Sequence, residues 1–395
     1  MFKKITICVI LLILCISNTA ARDIDLDAVY IDEASPAYKK LIQGKLDAYQ
    51  KAGSEKINNN VIFARWIGGT GIAYIREFPA VNILYLYTLN GKNKELLRIP
   101  GTVTTMLIDP ENRYIHIKHL TISADDPVPQ NHLLTLDLKT NKSHSRETNN
   151  PFLDFSLSPN GSSIVFESRQ GISEEFTETG LVRLLIPVSD YNRIRSNNAH
   201  TIAILAPNRS RCLLLNGGAD TYKSFIWGSG NTIADISSAE EVAWLDNNFI
   251  IYRGGHSGSY NVTVVSADGK EKRQLITSSL NTNLCVSAQA GRAAFLHNQM
   301  IMLYNAKDNS VVSTGLEGED IYFSPDGVRF ISIFQKELYL TREKTLLERK
   351  NIMRANATNL LEIYKQVQND DEVLDNEYSN NYCQQKIDAY TLFLK

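Results

Sequence analysis

Short runs of apolar and β-branched residues recur along most of this chain, each broken by a tight turn, and the alternation predicts antiparallel hairpins. Ser158-Pro159-Asn160-Gly161 leads into Ser162-Ser163-Ile164-Val165-Phe166, and Ser324-Pro325-Asp326-Gly327 leads into Val328-Arg329-Phe330-Ile331-Ser332. Asp109-Pro110-Glu111-Asn112 leads in the same way into Arg113-Tyr114-Ile115-His116-Ile117. In each, proline and an acidic or amide residue set the turn, glycine or asparagine takes the position where positive φ is least costly, and a strand follows. Residues 66–74, 244–252 and 286–295 lose the proline but keep the flanking strands.

A second hairpin follows most of these copies, about Asn90-Gly91, Thr140-Asn141, Asp268-Gly269 and Asp308-Asn309. Asn-Gly and Asp-Gly between strand-forming runs are strong hairpin signals. Two hairpins make four strands per repeat, and the spacing, 50 residues from Gly91 to Asn141 and 40 from Gly269 to Asn309, suits one propeller blade. The expected fold class is therefore all-β, a β-propeller of six blades with short flanking helices, or of seven if the segment at Trp227 begins another. The 128 residues from Asn141 to Gly269 read as one blade, with hairpins at 158–166 and 201–215, and two excess segments at 169–199 and 217–240.

Phe155-Ser156-Leu157-Ser158-Pro159-Asn160-Gly161 and Ile321-Tyr322-Phe323-Ser324-Pro325-Asp326-Gly327 resemble the Ser-Pro-Asp-Gly repeats of the TolB-like propeller family, and the similarity extends over roughly residues 61–350. The resemblance implies a fold and no single activity, because that family includes periplasmic scaffolds, propellers attached to peptidases and some polysaccharide lyases. The stretch before the repeats is far shorter than the amino-terminal domain of TolB, so a role in the Tol system is not carried over.

The two ends carry different signals. Lys3 and Lys4, an apolar run over 5–16 interrupted only by Thr6, and the small residues Thr19-Ala20-Ala21 predict a secretory signal cleaved before Arg22. The run is too short to span a bilayer, which takes about 20 residues. The mature protein is thus expected to be periplasmic or extracellular; the alternative is a lipid anchor on Cys15, although Leu14 stands where such signals usually carry a small residue. Residues 23–30 alternate acidic and apolar side chains, which reads either as a strand completing the last blade or as a linker. Ser35-Pro36 and Gly53 bracket a helix, and two more are expected at 353–367 and 378–393. The domain reading is a signal over 1–21, a strand and helix over 22–60, the propeller over 61–350 and a helical segment over 351–395.

Charge narrows the partners. Cleavage of the signal changes the formal charge from -2 to about -4 with no basic block anywhere, which disfavours nucleic acid and anionic membrane surfaces. Cys212, Cys285 and Cys383 are odd in number and widely spaced, so the fold is expected to rest on its core, to which 43% hydrophobic residues contribute.

Candidate chemistry is sparse. Gly255-His256-Ser257-Gly258-Ser259 lacks the second glycine of a nucleophile elbow and lies between strands. His116 and His119, three apart on a strand, point to opposite faces; His200, His256 and His297 are the only histidine set from neighbouring blades worth testing as metal ligands. Asp370-Asp371-Glu372 with Asp375 and Glu377 reads as a solvated turn between helices, without the ligand alternation of an EF-hand. No cofactor is expected. In a four-stranded blade the loop between the second and third strands shares a face with the inter-blade connections, which gathers the two excess segments and residues 253–259 on one side. Arg169, Arg183, Arg253 and His256 are the candidate ligand contacts there. The leading expectation is a non-enzymatic exported propeller that binds a protein, peptide or envelope component through that face. The alternative is a carbohydrate-active lyase or hydrolase, to be recognised by carboxylates, arginine or histidine converging in the central funnel.

Overall fold

The protein is described from a computed structural model covering residues 35–122, 128–147, 155–191, 200–217, 223–228, 231–236, 239–256, 259–278, 283–369 and 377–395. Strands β1 to β28, numbered in chain order, form seven four-stranded antiparallel sheets, the blades of a β-propeller. The innermost strands are β2 (Val61–Ile67), β6 (Thr102–Ile108), β10 (Phe155–Leu157), β14 (His200–Leu205), β18 (Ala239–Trp244), β22 (Leu284–Ser287) and β26 (Asp320–Phe323).

The repeated turn owes its shape to its first residue. Ser324 Oγ accepts the backbone N–H of Arg329 at 3.1 Å, and Ser158 Oγ accepts that of Ser163 at 3.1 Å; in the degenerate copy Asp109 Oδ1 accepts the N–H of Arg113 at 2.6 Å. Gly161 and Gly327 both take φ of 68°, and Asn112 takes 60°. A Cβ on Gly161 would lie 2.7 Å from Asp109 Cβ, and one on Gly327 2.6 Å from Ala290 Cβ, so each turn packs directly on that of the preceding blade. Polar bonds continue the ring of turns: Ser287 Oγ donates to Pro325 O at 2.9 Å and Arg329 Nη2 to Gly69 O at 2.9 Å.

Of the two blade counts expected, six and seven, the structure has seven, and blade three corrects the sequence reading. Residues 169–199 are no insertion: they contain β12 (Gly171–Phe176) and β13 (Val182–Pro187), the third and fourth strands that every blade needs, followed by one helical turn, Val188–Tyr191. The hairpin at 201–215 opens a separate fourth blade, completed by β16 (Lys223–Gly228) and β17 (Asn231–Asp235). Trp227 lies on the third strand of that blade and does not begin one. The main count of six falls one short because the turn at Thr179-Gly180, φ 66° at Gly180, lacks the asparagine or aspartate present at Asn90-Gly91, Thr140-Asn141, Asp268-Gly269 and Asp308-Asn309.

Ring closure uses the strand order β1-β28-β27-β26, in which β1 (Glu55–Asn58) pairs outside β28 (Glu337–Arg342). An amino-terminal strand therefore does complete the last blade, but it follows the first helix instead of preceding it. Residues 23–30, the signal and Cys15 lie outside the described residues, as do 370–376 of the acidic turn.

That first helix, Pro36–Ala52, is capped by Ser35, whose Oγ accepts the Tyr38 N–H at 3.0 Å, and ends at Gly53 with φ 75°. With the helices Lys350–Gln368 and Glu377–Leu394 it packs along β25 (Ser310–Glu317), the outer strand of blade six. At the centre of this contact lies the buried Glu317. Lys386 Nζ is 2.6 Å and Lys45 Nζ 3.2 Å from its Oε2, and the hydroxyls of Tyr390 and Tyr364 donate to Oε1 at 2.9 and 3.1 Å. The two ammonium groups and these hydrogen bonds hold the Glu317 carboxyl down at about 2 against burial, while burial brings Lys386 down to about 8. No helix among the described residues is long and apolar enough to cross a membrane.

Candidate functional site: the mouth of the central channel

Side chains alternate along each innermost strand, and the two sets have different surroundings. One set, including Ala64, Trp66, Met106, Ala203, Val242, Trp244, Ile321 and Phe323, is buried between blades. The other set is only half-buried although it stands at the centre of the ring, so its exposure is to the central channel. Around the ring this second set divides in character. Leu107, Ile202, Ile204 and Ala243, with Phe63, present an apolar wall from blades one, two, four and five. Arg65, Glu241, Asn283, Cys285, Asp320 and Tyr322 present a polar wall from blades five, six, seven and one.

The polar wall is held together by specific contacts. The Arg65 guanidinium stacks on the Tyr322 ring with Cζ 3.6 Å from the centroid, and Nη1 donates to Ala64 O at 2.8 Å. Tyr322 Oη donates to Asp320 Oδ1 at 2.9 Å, and Asn283 Nδ2 bonds the same oxygen. Glu241 Oε2 accepts the backbone N–H of Leu284 at 3.1 Å and lies 3.7 Å from Arg253 Nε, while Arg253 Nη2 is 3.1 Å from Glu240 Oε2. Glu241 and Arg253 are also register partners on β18 and β19 (Phe249–His256).

Electrostatics follow from the enclosure. Burial lifts the Glu241 carboxyl to about 7 against the pull of Arg253, and burial lifts Asp320 above the usual range against the pull of Arg65. Burial likewise pushes the Cys285 thiol up to about 12, so at neutral pH this position offers no thiolate nucleophile. The wall thus supplies a fixed guanidinium, a carboxyl that changes protonation near neutrality and a second carboxyl already bound by a tyrosine and an amide.

The candidates named from sequence are dispersed. Arg253 joins this cluster. Arg169 is exposed at the turn between β11 (Ser163–Ser168) and β12. Arg183 lies on the outer strand of blade three, its side chain 56% exposed, with Nη2 on the buried Glu174 at 2.7 Å. His256 ends β19 opposite Ser259, at the hairpin that carries the imperfect elbow. His116 and His119 do face opposite ways, one towards Phe155 of the next blade and the other onto the Pro100 carbonyl, and among the described residues no His, Cys, Asp or Glu group could hold a metal.

Arg65, Glu241, Asp320 and Tyr322 went unrecognised because they lie on blades one, five and seven, far apart in sequence. Aligning the first strands on Trp66, Trp244 and Phe323 would have found them, since they occur one or three residues before those positions. The comparisons with known proteins address the frame that brings them together. No family model and no curated protein matches this chain. Among solved structures, the Cps50 (Swd1) β-propeller domain of Myceliophteria thermophila aligns with TM-score 0.52 and 11% identity, over 73% of this chain and 98% of that one. A chain of a mitotic checkpoint complex aligns with TM-score 0.52 and 11% identity, over 73% and 93%. What is shared is the fold. TolB from Acinetobacter baumannii aligns over 56% of this chain and 55% of its own at 16% identity, with TM-score 0.41, so this chain spans about half of TolB and the likeness adds no argument for that family.

Proposed function

We propose that the chain is an exported binding propeller whose recognition centre is the mouth of the central channel, and not an insertion on blade three. The carrying observation is the convergence of Arg65, Glu241, Asp320 and Tyr322 from three blades on one wall of the channel. Ligand sites are typically largely apolar with a few placed polar groups, and the two walls together have that composition. Glu241, Asn283 and Asp320 stand at the entering ends of their strands, on the face that also bears the inter-blade connections and the β19–β20 hairpin, β20 being Ser259–Ser266. That face remains the binding face, with the blade-three segment removed from it.

The test is a thermal-shift screen of peptide, saccharide and small-acid panels against the wild type and Thr105→Trp. Thr105 is half-buried on β6 three residues before the strand end, on blade two, and an indole there is expected to obstruct the channel. Ligands of the channel shift the wild type and not the variant; hits that shift both equally overturn the reading.

One observation favours a second reading, a hydrolase or lyase acting on a saccharide. Glu241, lifted to about 7 by burial and further by the nearby Asp320, can hold a proton near neutrality, which is what the acid of such a reaction must do. Turnover of a panel saccharide that is lost in Glu241→Gln with binding retained would establish catalysis; binding without product in the wild type would dismiss it.

A further inference from the structure

We propose that the ligand of this channel is an apolar carboxylic acid, its carboxylate seated on the free edge of the Arg65 guanidinium and its hydrocarbon body lying against the apolar wall. The inference rests on the channel being the recognition centre and adds the chemistry of what enters it.

Each charged group on the polar wall except Arg65 already has a partner of its own. Arg253 is taken by Glu240 and Glu241, Asp320 by Tyr322 and Asn283, and Glu241 by Arg253 and the Leu284 N–H. Arg65 gives one N–H to Ala64 O and makes no ion pair with any described residue. Its plane is nevertheless fixed by stacking on Tyr322 at 3.6 Å. A guanidinium held flat against an aromatic ring with most of its donors unspent is preorganised for a planar, two-oxygen acceptor, which a carboxylate supplies.

The Arg65 cation is what favours an anion there. It pulls down Asp320, Glu241, Tyr322 and Cys285, while burial raises all four, so a ligand carboxylate bears the same desolvation cost and depends on the guanidinium to offset it. Glu241, once protonated, can donate to the incoming oxygen. Leu107, Ile202 and Ile204 from blades two and four, with Phe63 and Ala243 on the strands of Arg65 and Glu241, offer hydrocarbon side chains with no hydrogen-bond partner, which disfavours a small hydrated anion and a polyhydroxylated one alike.

Calorimetric titration of the full chain with octanoate, octanamide and acetate, and with acetyl-Gly-Leu-Phe bearing either a free or an amidated carboxyl terminus, tests this. An acid is expected to bind at least about tenfold more tightly than its amide, acetate is expected to bind more weakly than octanoate, and Arg65→Gln is expected to lose at least about tenfold for the acid. Octanoate alone as the binder identifies a small acid, and the free-carboxyl peptide identifies a chain terminus. Affinity should fall several-fold from pH 6 to pH 8 as Glu241 ionises beside the bound carboxylate, the other charged or titratable groups facing that position being Arg65, Arg253, Asp320, Tyr322 and Cys285. Equal binding of acid and amide, unchanged affinity in Arg65→Gln, or no binding by either acid overturns the proposal. If Arg65→Gln does not fold, Arg65→Lys and the acid–amide pair on the wild type still decide it. Thr105→Trp separates the failures: other ligands lost in that variant with no carboxylate bound leave the channel standing and remove only this inference.

Discussion

Lys386 Nζ lies 2.6 Å from Glu317 Oε2, both side chains almost wholly enclosed, and this pair joins the last helix of the chain to the outer strand of blade six. Lys45 from the first helix shares the same carboxylate. The two ends of the described chain are thus fastened to one residue. Removing the anion alone strands two buried cations, so Glu317→Gln is expected to cost about 3–5 kcal/mol, read from urea unfolding of the full chain. A loss near zero would mean that the helices dock by their apolar faces alone.

Acid should act through the same group. Glu317 titrates at about 2 in the fold against 4.5 as the ordinary value, so its stabilisation is fully present above about 4.5 and is lost as the pH falls towards 2. At the other end Tyr364, Tyr382 and Tyr390 are raised by burial; above about pH 10 the unfolded chain ionises them and the fold does not, so stability declines there too. Urea midpoints measured from pH 2 to 11 should show both limbs, and Glu317→Gln should flatten the acid one.

Glycine substitutions discriminate turn strain from packing. Gly91 has φ 84° with open space at the Cβ position, so Gly91→Ala meets only the left-handed penalty of about 1–2 kcal/mol. Gly161→Ala adds a collision with Asp109 and Pro110 to a similar φ, and is expected to lower the melting temperature further than Gly91→Ala. Equal losses would show that the turns of neighbouring blades yield easily.

Truncation separates the two candidate closing strands. A chain beginning at Ala34 keeps β1 and should melt as the full-length chain does. A chain beginning at Asn59 lacks β1, exposes the edge of β28 and removes Lys45 and Tyr49 from Glu317, and is expected to self-associate by light scattering. A monomeric, fully stable chain from Asn59 would deny β1 its closing role.

Legibility in the sequence followed the strength of local chemistry. Ser158-Pro159-Asn160-Gly161 and Ser324-Pro325-Asp326-Gly327 announced their hairpins because serine, proline and glycine each have a local reason to be there, and the helix between Ser35 and Gly53 was equally plain. Blade three was misread because Thr179-Gly180 is a weaker turn signal, which made two ordinary strands look like a loop. The closing strand was misplaced because Glu55–Asn58 is short and lacks the clean alternation of residues 23–30, its pairing being decided by β28 and not by its own residues. The channel wall was harder to read for a further reason: Arg65 and Tyr322 become neighbours only when the ring closes, and only the equivalent places of Trp66 and Phe323 in their repeats relate the two.

That closure also imposes an order in time. β1 is among the first parts of the ring to be made, yet its partner β28 is among the last, with six complete blades between them. At about 5–20 residues per second, synthesis keeps the two apart for tens of seconds. Through that interval Arg65 has no Tyr322 to stack on, so the polar wall of the channel is completed only with the last blade. A nascent chain that stops short of blade seven would therefore hold most of its blades without the Arg65–Tyr322 stack.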